Sequence, residues 1–539
     1  MTVPGWAPPV WELADDSVAD VSRDGTLTGK KGGRVVATVR VADLTAEVRF
    51  RMNPDRIVLA APAIYLNQAA QNRGGTVRLI AGRTALLRVF VVGDQVNWLE
   101  PPAVKVTLLQ ENDVIFERLL QPQTEHILTS VDESDLKWSH NVEVPGSLIQ
   151  PGVRMVVQLD PEGVVPLAPG SRVRYPVEGS AELPVVKPQL FRQIFVPTLW
   201  IRDPDHSVFD WLAGMDPDGW QMRRTRNLLP VSEMEVEVRD TFWTNADLST
   251  ADRWFKWLGE IEVLHVQEGR RGYYYGVLGS GPAEWGGLGG IGVPWGVGLA
   301  DDYVYTHELG HNMSLGHAPC GGAWGPDPNY PYRRGDIGVW GYDTETKALM
   351  ASGEYSDIMG YCRVRLWISD YHFNRATTHR LDGDGGVDLD GGSEPDRGEM
   401  LVVWGSVRDG ELTLDPAFVL EGPVDLPETD GPYRVEGLGP GGESRFSLSF
   451  TPTPRKGGGA GFAHFIPYQP EWAGTLDRIV LTGPEGEDTV TRGGEREMAV
   501  LTDPATGRIR AIVRDWDGGP VPGEETADVT ISRGVPTGG

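Results

Sequence analysis

The sequence predicts a multidomain chain with one mixed α+β unit flanked by antiparallel β-sandwich domains. Three observations predict it. The chain has 539 residues, too many for a single hydrophobic core. Its 69 Gly and 41 Pro supply many tight turns between short alternating apolar segments. Only between about residues 185 and 380 does helical periodicity interrupt that pattern.

The segments follow in order. Residues 1–52 read as a partial β module. Asp16 to Gly29 resembles two strands and a turn of a bacterial Ig-like repeat, and Val35 to Val41 and Ala46 to Arg51 alternate like further strands. Such a module normally continues upstream, so the native polypeptide is expected to begin earlier, with an export signal ahead of Met1. Residues 53–184 run strand after strand, including Ala85 to Val92, Ala103 to Leu109 and Met155 to Leu159, and read as an antiparallel β-sandwich.

Residues 185–380 mix strands (Leu190 to Trp200, Glu233 to Val238, Tyr273 to Val277) with a helix over Ala251 to Glu268. Trp254, Trp257, Leu258, Ile261 and Leu264 form its apolar stripe. Trp367 to Tyr371 opens another helix. Residues 381–398 form an acidic, Gly-rich linker in which Asp382, Asp384 and Asp388 either ligate Ca2+ through oxygens or stay solvated. Residues 399–539 return to strands and read as a second sandwich.

Composition excludes some partners. Forty-nine basic against 76 acidic residues leave a net charge of −27, which disfavours nucleic acid and anionic membrane surfaces. No apolar run reaches the length of a membrane span. The sequence carries no signal for oligomeric state.

The chemistry concentrates in Thr306-His307-Glu308-Leu309-Gly310-His311-Asn312-Met313-Ser314-Leu315-Gly316-His317. His307 and His311 are four apart, so on a helix they share one face, one turn apart. Asp301 or Asp302 suits the N-cap of that helix. Gly316 permits a left-handed turn that swings His317 back as a third ligand. Three protein ligands leave a fourth tetrahedral position for water, which makes a Zn2+ ion held this way catalytic rather than structural. Glu308 can reach that water as a general base without binding the metal.

Downstream stands Tyr355-Ser356-Asp357-Ile358-Met359-Gly360-Tyr361-Cys362. With the histidine motif it resembles the metzincin zinc peptidases, whose pattern is H-E-x-x-H-x-x-G-x-x-H followed by a Met-turn. The resemblance implies a metzincin-like α+β catalytic domain, with Met359 as an apolar floor beneath the ligands and Tyr361 as an oxyanion stabiliser. It also implies that the loops carrying Cys320 and Cys362 come together, so the two can form a disulfide. One departure is Ser314, which stands where the family has Gly; either it bears a left-handed backbone at about 1 kcal/mol, or Gly316 carries part of the bend. In metzincins the strand before the zinc helix is a sheet edge that binds extended peptide. Ile291 to Val297, with Gly292, Val293 and Trp295, is either that edge or a surface loop, and Trp285 stands in the same Gly-rich stretch.

Within the clan the motif looks most like the secreted bacterial StcE-type peptidases, which cleave mucin-type glycoproteins. The expected function is therefore an extracellular or cell-surface zinc endopeptidase acting on protein or glycoprotein. Trp324, Tyr330, Tyr332, Trp340 and Tyr342 are either sugar-stacking faces or core anchors. Two other readings are a surface adhesin with an inactive zinc domain and a zinc hydrolase of a non-peptide amide. The intact Glu308 opposes the first, and the Met-turn the second.

Overall fold

The computed structural model describes residues 7–536, apart from 251–252, 282–285, 363, 384–395, 428–429, 456–457, 517 and 523. It divides into two compact units, Met1–Lys187 with Ile337–Tyr355, and Pro188–Asp336 with Ser356–Gly539.

The first unit is all-β in its main elements. Val10–Leu13, Gly33–Val41 and Leu44–Met52 form a three-stranded antiparallel sheet over a small core of Val18, Ala19 and Val35. A larger core of Leu59, Leu87, Val89, Val106, Leu108, Val157 and their neighbours lies between two antiparallel sheets, one built on Val104–Gln110 and Val153–Leu159 and the other on Leu59–Asn67 and Ala85–Gly93. Alternate residues of Val104–Gln110 are buried, as a strand with one solvated face requires. Residues 337–355 belong to this unit. The strand Trp340–Asp343 pairs with Ala70–Gln71 and with Ala348–Met350.

The second unit is built on a nine-stranded mixed sheet. Its strands are β1 (Phe191–Trp200), β2 (Met234–Val238), β3 (Phe242–Thr244), β4 (Tyr273–Leu278), β5 (Gly287–Gly289), β6 (Trp295–Leu299), β7 (Met498–Thr502), β8 (Ile509–Arg514) and β9 (Asp528–Ser532). The order is β5-β6-β4-β1-β3-β8-β7-β9, with β2 also on β1. β1, β4 and β6 run parallel, and β5 closes that end antiparallel to β6.

Helix α1 (Trp254–Gln267) covers one face and α2 (Asp302–Asn312) the other. The Tyr273-Tyr274-Tyr275 run shows why, since successive residues of a strand point to opposite faces. Tyr274 meets His265 of α1 at 5.1 Å between ring centroids, whereas Tyr275 meets Tyr305 of α2 at 5.1 Å. A third helix, α3 (Asp370–Leu381), is capped by Ser369, whose hydroxyl accepts from His372 N.

Residues 397–491 form a sandwich of a five-stranded and a four-stranded sheet. In its strand Arg397–Arg408 the two faces serve different cores. Leu401 and Val403 face the sandwich interior with Val435, Ile479 and Leu481, while Met400, Val402 and Trp404 join the core around α1. α1 is thus buried all round rather than along one stripe. Its Glu262 and Glu260 are neutralised by Arg455 (2.7 Å) and Arg514, respectively.

Two boundaries differ from the sequence reading. β7, β8 and β9 lie in the large sheet, through parallel pairing of β3 with β8, and not in the C-terminal sandwich. Residues 337–355 leave the 185–380 segment for the first unit. Both differences arise from long-range strand pairing, which alternation within a strand does not encode.

Candidate active site

α2 begins where the Asp301 side chain accepts from the backbone N–H groups of Tyr303 and Val304, both at 2.9 Å. Asp301 is therefore the cap, and Asp302 lies in the first turn. The helix ends in a Schellman motif: Leu315 N–H donates to the Gly310 carbonyl and Ser314 N–H to the His311 carbonyl. The left-handed residue is Ser314, at φ 65°, and not Gly316, which corrects the turn expected at Gly316. Gly316 is needed for space: a Cβ there would stand 3.0 Å from the Cβ of Asp327. Two groups of α3 brace the bend. Arg375 Nε donates to the Ser314 carbonyl at 2.8 Å, and His379 Nδ1 lies 3.0 Å from the Ser314 hydroxyl.

The bend brings His317 to His307 and His311. One ring nitrogen from each lies within 4.8 Å of the others, and all three residues are buried. His311 Nε2 and His317 Nε2 are 3.2 Å apart. Each Nδ1 donates to a backbone carbonyl: His307 to Ile358 at 2.8 Å, His311 to Leu315 at 2.8 Å, and His317 to Trp324. A carbonyl only accepts, so these bonds fix the Nδ1–H tautomer and turn three Nε2 lone pairs toward one point. Tetrahedral zinc, with Zn–N near 2.0–2.1 Å, needs nitrogens about 3.3 Å apart, a separation that His311 and His317 meet at 3.2 Å, and three imidazoles are a donor set that suits that ion.

The surroundings pack closely. A Cβ on Gly310 would come within 2.4 Å of Met359 Sδ, so the glycine lets Met359 rest against the helix between the first two histidines. A Cβ on Gly287 would come within 2.6 Å of Glu308 Cγ, which places the Glu308 side chain against β5. The Tyr361 ring stands 5.0 Å from that of His317 and 5.9 Å from that of His307. Burial and the nearby Glu308 charge push the Tyr361 phenol up to about 12, so it stays a donor at neutral pH.

The loop of His317 and the turn of Met359 are laced together. Ala318 N–H donates to the Met359 carbonyl, Tyr361 N–H donates to the Cys320 carbonyl, and Cys320 and Cys362 form a disulfide. A residue that the sequence reading passed over anchors the turn. Asp357, fully buried, accepts from Met359 N–H, Ser369 N–H and Tyr330 Oη and pairs with His372 Nδ1 at 2.9 Å. Burial pushes its carboxyl up, but His372 and these donors outweigh burial and hold it below the ordinary value. An Asp two residues before Met359, followed by a helix bearing His372, was the available signal.

Other expected residues fall elsewhere. β6 is paired on both sides, and Trp295 is buried against His265 at 5.4 Å. Gly292 and Val293 form the turn before β6, and Gly292 N–H donates to the His311 carbonyl. The edge strand is β5, Gly287–Gly289, which corrects the edge expected at Ile291 to Val297. Trp324 is exposed, Tyr330 is a buried support of Asp357, and Trp340 and Tyr342 belong to the first unit. Tyr332 donates to Asp370. Asp382 caps the end of α3, while Asp384, Asp388 and Trp285 lie outside the described residues. Among the described residues no helix is long and apolar enough to cross a membrane.

Comparison with known proteins points the same way. No curated protein matches the chain. Among solved structures, 33% of this chain is similar to domains 4 and 5 of the S-layer protein SbsC, at 15% identity, 70% of that chain and a TM-score of 0.17. It is similar over the same share to SbsC domains 1–6, at 15% identity, 20% of that chain and a TM-score of 0.18. Sidekick-1 immunoglobulin domains 1–5 align at 14% identity over 33% of each chain, with a TM-score of 0.16. The fold therefore rests on the architecture above. A family model described as Peptidase M66 matches residues 264–365, a span that runs from the end of α1 through the three histidines and past Tyr361, and this match supports a peptidase.

Proposed function

We propose that this chain is a zinc-dependent endopeptidase of metzincin type, acting outside the cell on proteins or glycoproteins. The observation that carries the reading is the convergence of three tautomer-fixed Nε2 atoms beside the Glu308 side chain. His307, His311 and His317 hold the zinc. When bound, the ion supplies an acidified water, with a pKa of about 7, and a Lewis acid for the scissile carbonyl. Glu308 takes the proton of the attacking water and returns it to the leaving amine. Tyr361 donates to the carbonyl oxygen as charge builds there. β5 aligns the substrate backbone as an added strand, and Met359 is the floor beneath the ligands.

The disulfide supports an oxidising, extracellular setting. Likeness to StcE-type peptidases in the histidine motif and Met-turn makes mucin-type glycoproteins the first substrates to try. The β-sandwich segments serve as spacers or exosites.

The test is digestion of casein and mucin with and without a chelator, using wild type and Glu308→Gln. Wild type is expected to cleave, to stop with chelator and to recover with zinc, while Glu308→Gln keeps its zinc and loses turnover. Cleavage by Glu308→Gln at the wild-type rate would overturn the reading.

A further inference from the structure

A cavity of about 520 Å³ opens in the first unit, between the strand Gly33–Val41 and loops of the neighbouring sandwich. That lies within the small-ligand range of about 300–1,000 Å³. Arg34, Trp98, His126, Thr129, Asp132 and Trp138 bring functional groups to its lining. Arg34 is exposed and Trp98 is half-buried, so both present surface to the cavity.

The walls are fixed to one another. Gly32 lies so close to the 95–98 loop that a Cβ on it would stand 1.4 Å from the Val96 carbonyl oxygen, and Gly32 N–H donates to Gln95 Oε1 at 3.2 Å. Trp98 N–H donates to Asn53 Oδ1 at 2.6 Å, and Asn97 Nδ2 donates to the Ile127 carbonyl at 3.0 Å.

Charge marks the site. Arg34 and Arg51 are direct cross-strand partners, so their side chains leave the same face of the sheet with Cβ atoms about 5 Å apart. The Arg51 guanidinium in turn lies 5.7 Å from the centre of the Trp98 ring. Arg34, Arg51 and Trp98 are therefore one cluster that a single ligand can span. Like charges set directly opposite destabilise a strand pair. The chain has 76 acidic against 49 basic residues, so carboxylates are plentiful, yet among the described residues neither arginine forms an ion pair. An anion seated between the two removes the repulsion, and a guanidinium holds a planar oxyanion through two parallel N–H bonds.

We propose that this cavity binds an anionic sugar, a pyranose carrying a carboxylate or a sulfate. Arg34 and Arg51 take the anion, and the Trp98 ring takes the apolar face of the sugar. The Thr129 hydroxyl and the Asp132 carboxylate serve the ring hydroxyls, a task for which a carboxylate is an acceptor. An acidic side chain of a peptide would answer the arginines but brings no ring to the tryptophan, which favours the sugar. Use of the cavity to hold a glycoprotein substrate rests on the peptidase reading; the binding of the sugar does not.

The test uses the full chain with 15N-labelled indoles, the Trp98 resonance being identified from Trp98→Phe. Glucuronate, glucose 6-sulfate, glucose, acetate and a Glu-rich peptide are titrated separately. Saturable shifts of that resonance by glucuronate, glucose 6-sulfate or both, about tenfold tighter or more than by glucose or acetate, support the proposal and identify the anion. Arg34→Gln and, separately, Arg51→Gln, with unchanged thermal midpoints, are expected to weaken that binding about tenfold. No saturable shift from either acidic sugar, equally tight binding of acetate or of the peptide, or wild-type binding by both variants overturns the proposal. Sugar binding by a protein that cleaves neither casein nor mucin would leave this proposal standing and overturn the peptidase reading instead.

Discussion

Arg375 Nε donates to the Ser314 carbonyl at 2.8 Å, so a side chain of α3 holds the one left-handed residue on which the position of His317 depends. Glycine takes that conformation without the cost of about 1 kcal/mol borne by other residues. Arg375→Ala is therefore expected to weaken zinc binding several-fold, and Ser314→Gly to restore most of it in the double variant. A double-mutant cycle of zinc affinities checks this. Additive effects would show that the brace does not position the third ligand.

Gly287→Ala puts a methyl group where Glu308 Cγ and Oε1 would lie 2.6 and 2.9 Å away. The carboxylate must move while the histidines keep their carbonyl partners. A displacement of about 1 Å costs on the order of 100-fold in rate. The expected result is a kcat lower by about that factor with one zinc retained, measured by peptide kinetics and metal analysis.

Asp357→Ala removes the acceptor of two backbone N–H groups and the partner of His372 in a fully buried position. Breaking a buried pair in this way costs about 3–5 kcal/mol. Chemical denaturation is expected to show a loss of that size.

The loop closed by Cys320 and Cys362 spans 42 residues of sequence separation. Opening a loop of that length costs about 4 kcal/mol in the chain-entropy account. Cys320→Ser with Cys362→Ser is expected to lower unfolding stability by up to that amount, read by denaturation without reductant.

Acid should destabilise the second unit through His464. Its folded value, about 4, lies below the unfolded value of about 6.5. The unfolded chain therefore takes up this proton first as pH falls. The stability in question is fully present above about pH 6.5 and is lost as pH drops toward 4, at up to about 1.4 kcal/mol per pH unit. Comparing wild type with His464→Phe across that range isolates the effect: the variant's slope is expected to be shallower by about that amount.

Some of this was legible in the sequence because it is local. The i, i+4 spacing of His307 and His311 survives any tertiary arrangement, and Asp301 is a side-chain cap two residues from its donor. The edge strand was not legible: β5 is Gly287-Leu288-Gly289, and glycine carries no strand propensity. The apolar stripe of α1 is legible in its spacing, but the burial of the opposite face, where Glu260 and Glu262 stand, is not. Arg514 and Arg455, about 200 residues or more away in sequence, bury that face. The assignment of β7 to β9 failed for a related reason, since a strand's own residues do not name its partner.

Zinc K-edge X-ray absorption on the zinc-loaded protein, wild type and His317→Ala, tests the central claim most directly. Three imidazole nitrogens and one oxygen donor at about 2.0–2.1 Å, with one nitrogen lost in the variant, is the predicted result. A zinc environment that His317→Ala leaves unchanged would contradict it.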